Sequence, residues 1–201
     1  MISILLALLG LASSAQNSRP TAALVQRQLQ EANARFTYRG KPINPLAVQE
    51  LLTWLSDTLP GPVAVDIEGT YDSNRYFGEY SVEKDGRVTI QVKDTKVNPT
   101  EDDKGSFSYK RLGTLANGIH VLETLDNGGG SGTFGTLLLV KFVVDDEYDV
   151  DGKKRNRLVM MRAGEISLGD RYAGRISVGP HEIQIGADRG SGAGRKVLRF
   201  D

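Results

Sequence analysis

The stretch LLLVKFVVDDEYDVDGKKRNRLVMMRA, residues 137–163, decides the fold. An apolar run enters an acidic cluster, turns at Asp151-Gly152, and leaves through a basic cluster into a second apolar run. Two readings compete. Glu147, Asp149, Asp151 and Gly152 fit positions one, three, five and six of a calcium loop. Position twelve, where a bidentate Glu belongs, is Leu158, and position eight is Lys154. The other reading is a long two-stranded ribbon. A two-residue turn at Asp151-Gly152 would set Asp149 against Lys154, Asp146 against Arg157, Val144 against Val159 and Phe142 against Met161. Opposite charges then meet near the tip and apolar side chains below it, as cross-strand pairing favours. The ribbon accounts for more residues than the calcium loop, and Leu138, Val140, Phe142 and Val144 give it one wholly apolar face.

Outward from this ribbon the same period-two alternation continues. Strands are expected at residues 63–70, 76–83, 87–93, 107–115, 119–125, 137–145, 157–163, 171–178, 182–185 and 196–200. Asp85-Gly86 and Asn117-Gly118 repeat the turn chemistry of Asp151-Gly152. The polar loop 94–105 and a weak echo between ISLGDR (166–171) and IQIGADR (183–189) add no further architecture. The expectation is a mainly β, α+β protein: an antiparallel sandwich or barrel of about ten strands, occupying 62–201.

Two helices are expected before the sheet, within residues 16–61. The first, about 21–36, places Val25, Leu29, Ala32 and Phe36 on one stripe, with Gln26, Arg27, Gln28, Gln30 and Glu31 facing water. The second has Asn44 as N-cap, Pro45 at its first position, and a stripe of Val48, Leu51, Leu52, Leu55 and Leu59 flanked by Trp54. Pro60-Gly61-Pro62 ends it.

The first 15 residues, MISILLALLGLASSA, have an apolar core followed by small residues at a cleavage site after Ala15. The core is too short to span a bilayer. Because no Lys or Arg precedes it, an uncleaved anchor or a buried first helix is the competing reading. The signal reading implies an exported protein, periplasmic or extracellular, with no membrane span after cleavage.

Composition excludes several function classes. Twenty-five basic residues balance 25 acidic ones, so no overall field draws the chain to nucleic acid. With no cysteine there is no disulfide, thiolate metal site or cysteine nucleophile. No cofactor motif is present, and two histidines make no convincing zinc site.

Four features remain as site candidates. NGGGSGTF, residues 127–134, is glycine-rich but leads into a strand and lacks the Lys-Ser/Thr of a P-loop. Gly129, Gly130 and Ser131 could still line a ligand cleft or an oxyanion hole, against the plainer role of a sheet-corner bend. His120 with Ser131 and an acid, Asp170 or Asp66, is a conceivable nucleophilic set, although no nucleophile elbow surrounds Ser131. Asp170-Arg171 and the segment Asn74-Arg75-Tyr76 put donors, acceptors and aromatics at strand ends, where they either bind a polar ligand or close turns. His181, beside Pro180, reads as a solvated turn residue. The expected function is therefore a non-catalytic binding or envelope-associated domain for a polysaccharide or envelope protein. The alternative is a hydrolase with a cleft of His120, the 128–132 loop and strand-end carboxylates.

Overall fold

Alternating apolar residues build one dominant sheet. The computed structural model describes residues 21–52, 63–72, 79–92, 105–148, 151–188 and 194–201. Its sheet contains β3 (Ala64–Asp66), β4 (Tyr80–Val82), β5 (Val88–Val92), β6 (Gly105–Thr114), β7 (His120–Asn127), β8 (Phe134–Tyr148) and β9 (Lys154–Asp170). They lie in the order β3-β9-β8-β7-β6-β5-β4, and every neighbour pair is antiparallel. The protein is thus mainly β, as its alternation predicts, and the seven strands form a curled half-barrel. Three register shifts help to bend it. Leu112 is an extra residue in β6, and Ala163 and Leu168 are extra residues in β9. Bulges of this kind increase local twist and bend the strand that carries them.

Both faces of the half-barrel are partly covered. On one lie α1 (Ala22–Arg35), the hairpin β1 (Thr37–Tyr38) and β2 (Lys41–Pro42), and α2 (Pro45–Gln49). Phe36, Tyr38, Ile43 and Leu51 pack there against Phe107, Leu122, Leu138, Phe142 and Met160. On the other lies a three-stranded meander of β10 (Ile176–Val178), β11 (Glu182–Ile185) and β12 (Lys196–Arg199). Ile183 and Ile185 pack there against Val121, Leu137, Leu139 and Leu168. The alternating strand residues thus feed two cores, even numbers of β8 to the helices and odd numbers to the meander.

The start of the second helix is as expected, but the helix is shorter: α2 ends at Gln49, before Leu51 and Leu52 of the expected stripe. Thr21 caps α1 by accepting from the Leu24 amide, and Phe36 closes it in a left-handed conformation (φ 57°). Asn44 Oδ1 accepts from the Leu46 amide at 2.9 Å, with Pro45 at the first position of α2. Trp54, Leu55 and Leu59 lie outside the described residues. Three further local expectations are corrected. The strand expected over 171–178 starts only at Ile176, because β9 runs on to Asp170 and the chain turns at a left-handed Arg171 (φ 51°). Gln28, read as a wet-face residue, is buried and donates to the Tyr38 hydroxyl at 3.2 Å. The strand expected over 63–70 stops at Asp66 and becomes α3 (Ile67–Asp72). The cause is Asp66 itself, whose Oδ1 accepts from the Gly69 amide at 3.1 Å and caps that turn.

The β8–β9 ribbon is present and longer than expected, but its register differs by one residue. Asp145 faces Arg157, Val144 faces Leu158 and Phe142 faces Met160. A two-residue turn of the preferred type needs positive φ at both central residues. Among the described residues only Gly152 of the Asp151-Gly152 pair has it, at 73°. The other two dipeptides explain the shift. Around Gly86, the Glu83 amide donates to Arg87 O and the Gly86 amide to Glu83 O. Around Gly118, Leu115, Ile119 and Gly118 repeat the pattern. Both are three-residue loops that end in a left-handed glycine, and the register of Tyr148 with Lys154 fits the same geometry at Gly152.

Candidate ligand site at the glycine-loop end of the sheet

The sequence candidates fall at opposite ends of β7. His120 begins the strand and Asn127, which opens the glycine loop, ends it. Seven residue steps separate them, roughly 23 Å at strand rise. The structure therefore does not bring His120 and Ser131 together. Asp66 lies on the far edge strand, where its carboxylate is 3.9 Å from Arg157 Nη1.

His120 is fully buried under α1, with its ring edge-on to Phe36 and Phe142. Both ring nitrogens are engaged. Nδ1 lies 3.1 Å from Thr114 Oγ1 and Nε2 lies 3.4 Å from Asn33 Oδ1. Arg111 Nη2 donates to Thr114 Oγ1 at 2.8 Å, so the hydroxyl proton is free to go to Nδ1 and Nε2–H to Asn33. Burial first, then the Arg111 charge, lowers the imidazole pKa to about 4. His120 is a neutral core histidine at neutral pH, with a partner at each ring nitrogen.

The acidic cluster of the ribbon is likewise occupied. Glu147 pairs with Arg155 and Arg157, Asp145 with Arg157, and Asp146 with Lys154. Asp149 lies outside the described residues. Among the described residues no three His, Asp or Glu side chains are grouped as a metal would require.

At the other end of β7 the geometry is more open. The loop is tied down on both sides. Asn127 accepts from the Gly129 amide at 2.8 Å and donates to Thr133 Oγ1 at 3.2 Å. Asp170 Oδ1 accepts from the Thr133 amide at 2.8 Å, Oδ2 accepts from Arg171 Nε at 3.0 Å, and the Arg171 amide donates to Thr133 O at 2.7 Å. Gly129 takes φ 90°, and Arg171 takes 51°, a left-handed conformation unusual for a side chain of its length. Ser131 is exposed, and a Cβ placed on Gly128 or Gly130 would meet nothing. The loop is thus anchored at its bases and open at its tip. Asn74, Arg75 and Tyr76 lie outside the described residues.

One row of cross-strand neighbours reaches this loop: Tyr80, Ile90, Phe107, Asp126, Phe134 and Asp170. Directly opposed residues share a face, here the helix-covered one. Ile90 and Phe107 are buried beneath α2. Gln49, the last residue of α2, donates to Asp126 Oδ2 at 3.2 Å. Burial raises the Asp126 pKa, and the Gln49 hydrogen bond partly offsets it. Past Asp126 the row emerges, and Phe134 is 49% exposed. A Cβ on Gly132 would lie 3.2 Å from the Phe134 ring, so the ring rests on the glycine loop.

The result is an exposed aromatic face between two carboxylates, with Gln49, Arg171 and the tip of the glycine loop around it. Sequence reasoning named Gly129, Gly130, Ser131, Asp170 and Arg171 but missed Phe134, Asp126 and Gln49. Parity could have found Phe134: counting back in twos from the apolar face at Leu138 reaches it. No family model matches the chain, and neither a curated protein nor a solved structure matches it.

Proposed function

We propose that this protein is an exported, non-catalytic domain that binds a neutral polysaccharide at the envelope or outside the cell, and that it does so at the glycine-loop end of the sheet. The observation that carries the reading is Phe134, a half-exposed ring on a row of side chains that is otherwise buried or polar. The C–H face of a sugar ring is apolar and suits the electron-rich face of an aromatic ring. Hydroxyls around that ring donate to carboxylates and accept from amides, the groups that Asp126, Asp170, Gln49 and Arg171 supply. Two carboxylates beside the ring favour an uncharged sugar over an acidic one. Export rests on residues 1–15.

The test is a screen of the mature chain against neutral and acidic oligosaccharides, repeated with Phe134→Ala and Asp170→Asn. The expected outcome is binding of a neutral glycan that falls at least tenfold in Phe134→Ala with the fold intact. Binding that survives Phe134→Ala unchanged, or a preference for acidic glycans, would count against the assignment.

A further inference from the structure

A shallow concavity lies on the face of α1 turned away from the sheet. It is an open surface basin of about 530 Å³, lined by Arg27, Gln30, Glu31, Arg35, Thr37 and Gly40. That volume falls within the range of small-ligand sites. Arg27, Glu31 and Arg35 stand at i, i+4 and i+8, one stripe down the helix. Such spacing ordinarily lets a glutamate pair with an arginine on either side. Here it pairs with neither. Glu31 Oε1 instead accepts from Thr37 Oγ1 at 3.0 Å and from the Gly40 amide at 2.6 Å. The carboxylate is turned across the basin to hold the β1–β2 hairpin against α1. Neither Arg27 nor Arg35 has an ion-pair or hydrogen-bond partner among the described residues, and both are exposed.

We propose that Arg27 and Arg35 form a two-pronged clamp for a small two-headed anion, a ligand whose two anionic groups are carboxylates or phosphates. Their Cα atoms stand about 12 Å apart along the helix. Side chains of arginine length converge over the basin from either end, and each planar guanidinium can grip one anionic group through two parallel hydrogen bonds. Thr37 Oγ1 donates to Glu31, so its lone pairs stay available to a ligand hydroxyl, and Gln30 supplies an amide. Glu31 sets the selectivity. Its charge at the centre of the stripe repels an anionic group placed midway and favours ligands whose charges sit at the two ends.

The site is separate from the Phe134 face, so either can fail without the other. Glutarate and pyrophosphate, with acetate and inorganic phosphate as their single-headed counterparts, are titrated by calorimetry into the mature chain at low ionic strength. At least one two-headed probe should bind at least tenfold more tightly than its single-headed counterpart, and which of the two does so separates carboxylate from phosphate chemistry. Arg27→Gln and Arg35→Gln should each remove that advantage while leaving the unfolding midpoint in place. Glu31→Gln keeps an oxygen for Thr37 and Gly40 but removes the charge, and should tighten binding several-fold. Absence of binding by both two-headed probes would overturn the clamp. So would equal affinity for single-headed and two-headed probes, or indifference to either arginine substitution or to Glu31→Gln.

Discussion

The two ends of β7 start from similar materials and arrive at opposite outcomes. At the His120 end, polar side chains sit on the helix-covered face and are closed over by α1. Each ring nitrogen has a partner, and Phe36 and Phe142 pack on the ring. At the Asn127 end, Gln49 at the close of α2 holds Asp126, and the next side chain along that row, Phe134, is half in water. The contrast teaches that residue type alone does not mark a site. A histidine is the residue most often suspected of chemistry, yet here it is a structural part. A phenylalanine that reads as core on the strand pattern is the accessible group. What separates them is burial: the first is sealed from water and the second is half-exposed.

The largest effect that could break this comparison is on stability. Phe142→Ala should cost about 3–5 kcal/mol, because the cavity opens among Phe36, His120 and the strand core. Phe134→Ala, half in water already, should cost under about 1 kcal/mol. Urea unfolding of the two variants checks the pair, and equal losses would mean that both rings are core.

The next effect is pH-dependent. His120 binds its proton near pH 4 when folded and near 6.5 when unfolded. Between those values the unfolded chain holds more protons, so stability rises with pH. The contribution of this group is complete above pH 6.5, is lost as pH falls toward 4, and amounts to about 3 kcal/mol. Unfolding midpoints at pH 7 and 4.5 should converge in His120→Gln. A wild-type slope identical to that of the variant would mean that water reaches the ring.

A smaller effect belongs to the loop. Gly129→Ala places a Cβ on a left-handed residue and should cost about 1–2 kcal/mol, together with a loss of ligand affinity as the tip rearranges. Smallest of all, Arg157→Ala removes partners of Asp145 and Glu147 at a partly exposed site, worth about 0–1 kcal/mol. Its signature is faster amide exchange at the ribbon tip with the midpoint nearly unmoved.

How far the sequence carried the fold depends on which interaction decides each feature. Alternation and caps are local, and they gave the strands, the two helix starts and the apolar face of the ribbon. The one-residue register shift was not legible. Both turn geometries accept Asp-Gly, and φ at Asp151 selects between them. Nor was α3, because the Asp66 cap competes with a good strand pattern on nearly equal terms. At the site, the glycine loop and Asp170-Arg171 were visible as composition. The separation of His120 from Ser131 was not, because it depends on the length of β7. The exposure of Phe134 was hidden for a different reason: strand alternation shows which face a residue is on, not whether another element covers it.

The central claim is that ligand recognition lives at the open end of β7 and not at the buried one. Amide and aromatic chemical shifts, followed while a neutral oligosaccharide found in the screen is titrated in, test it most directly. The account predicts shifts at Asp126, Asn127, Gly129 to Phe134 and Arg171, with Asn33, Thr114 and His120 unmoved. Shifts centred on His120 and its partners, with the loop silent, would contradict it.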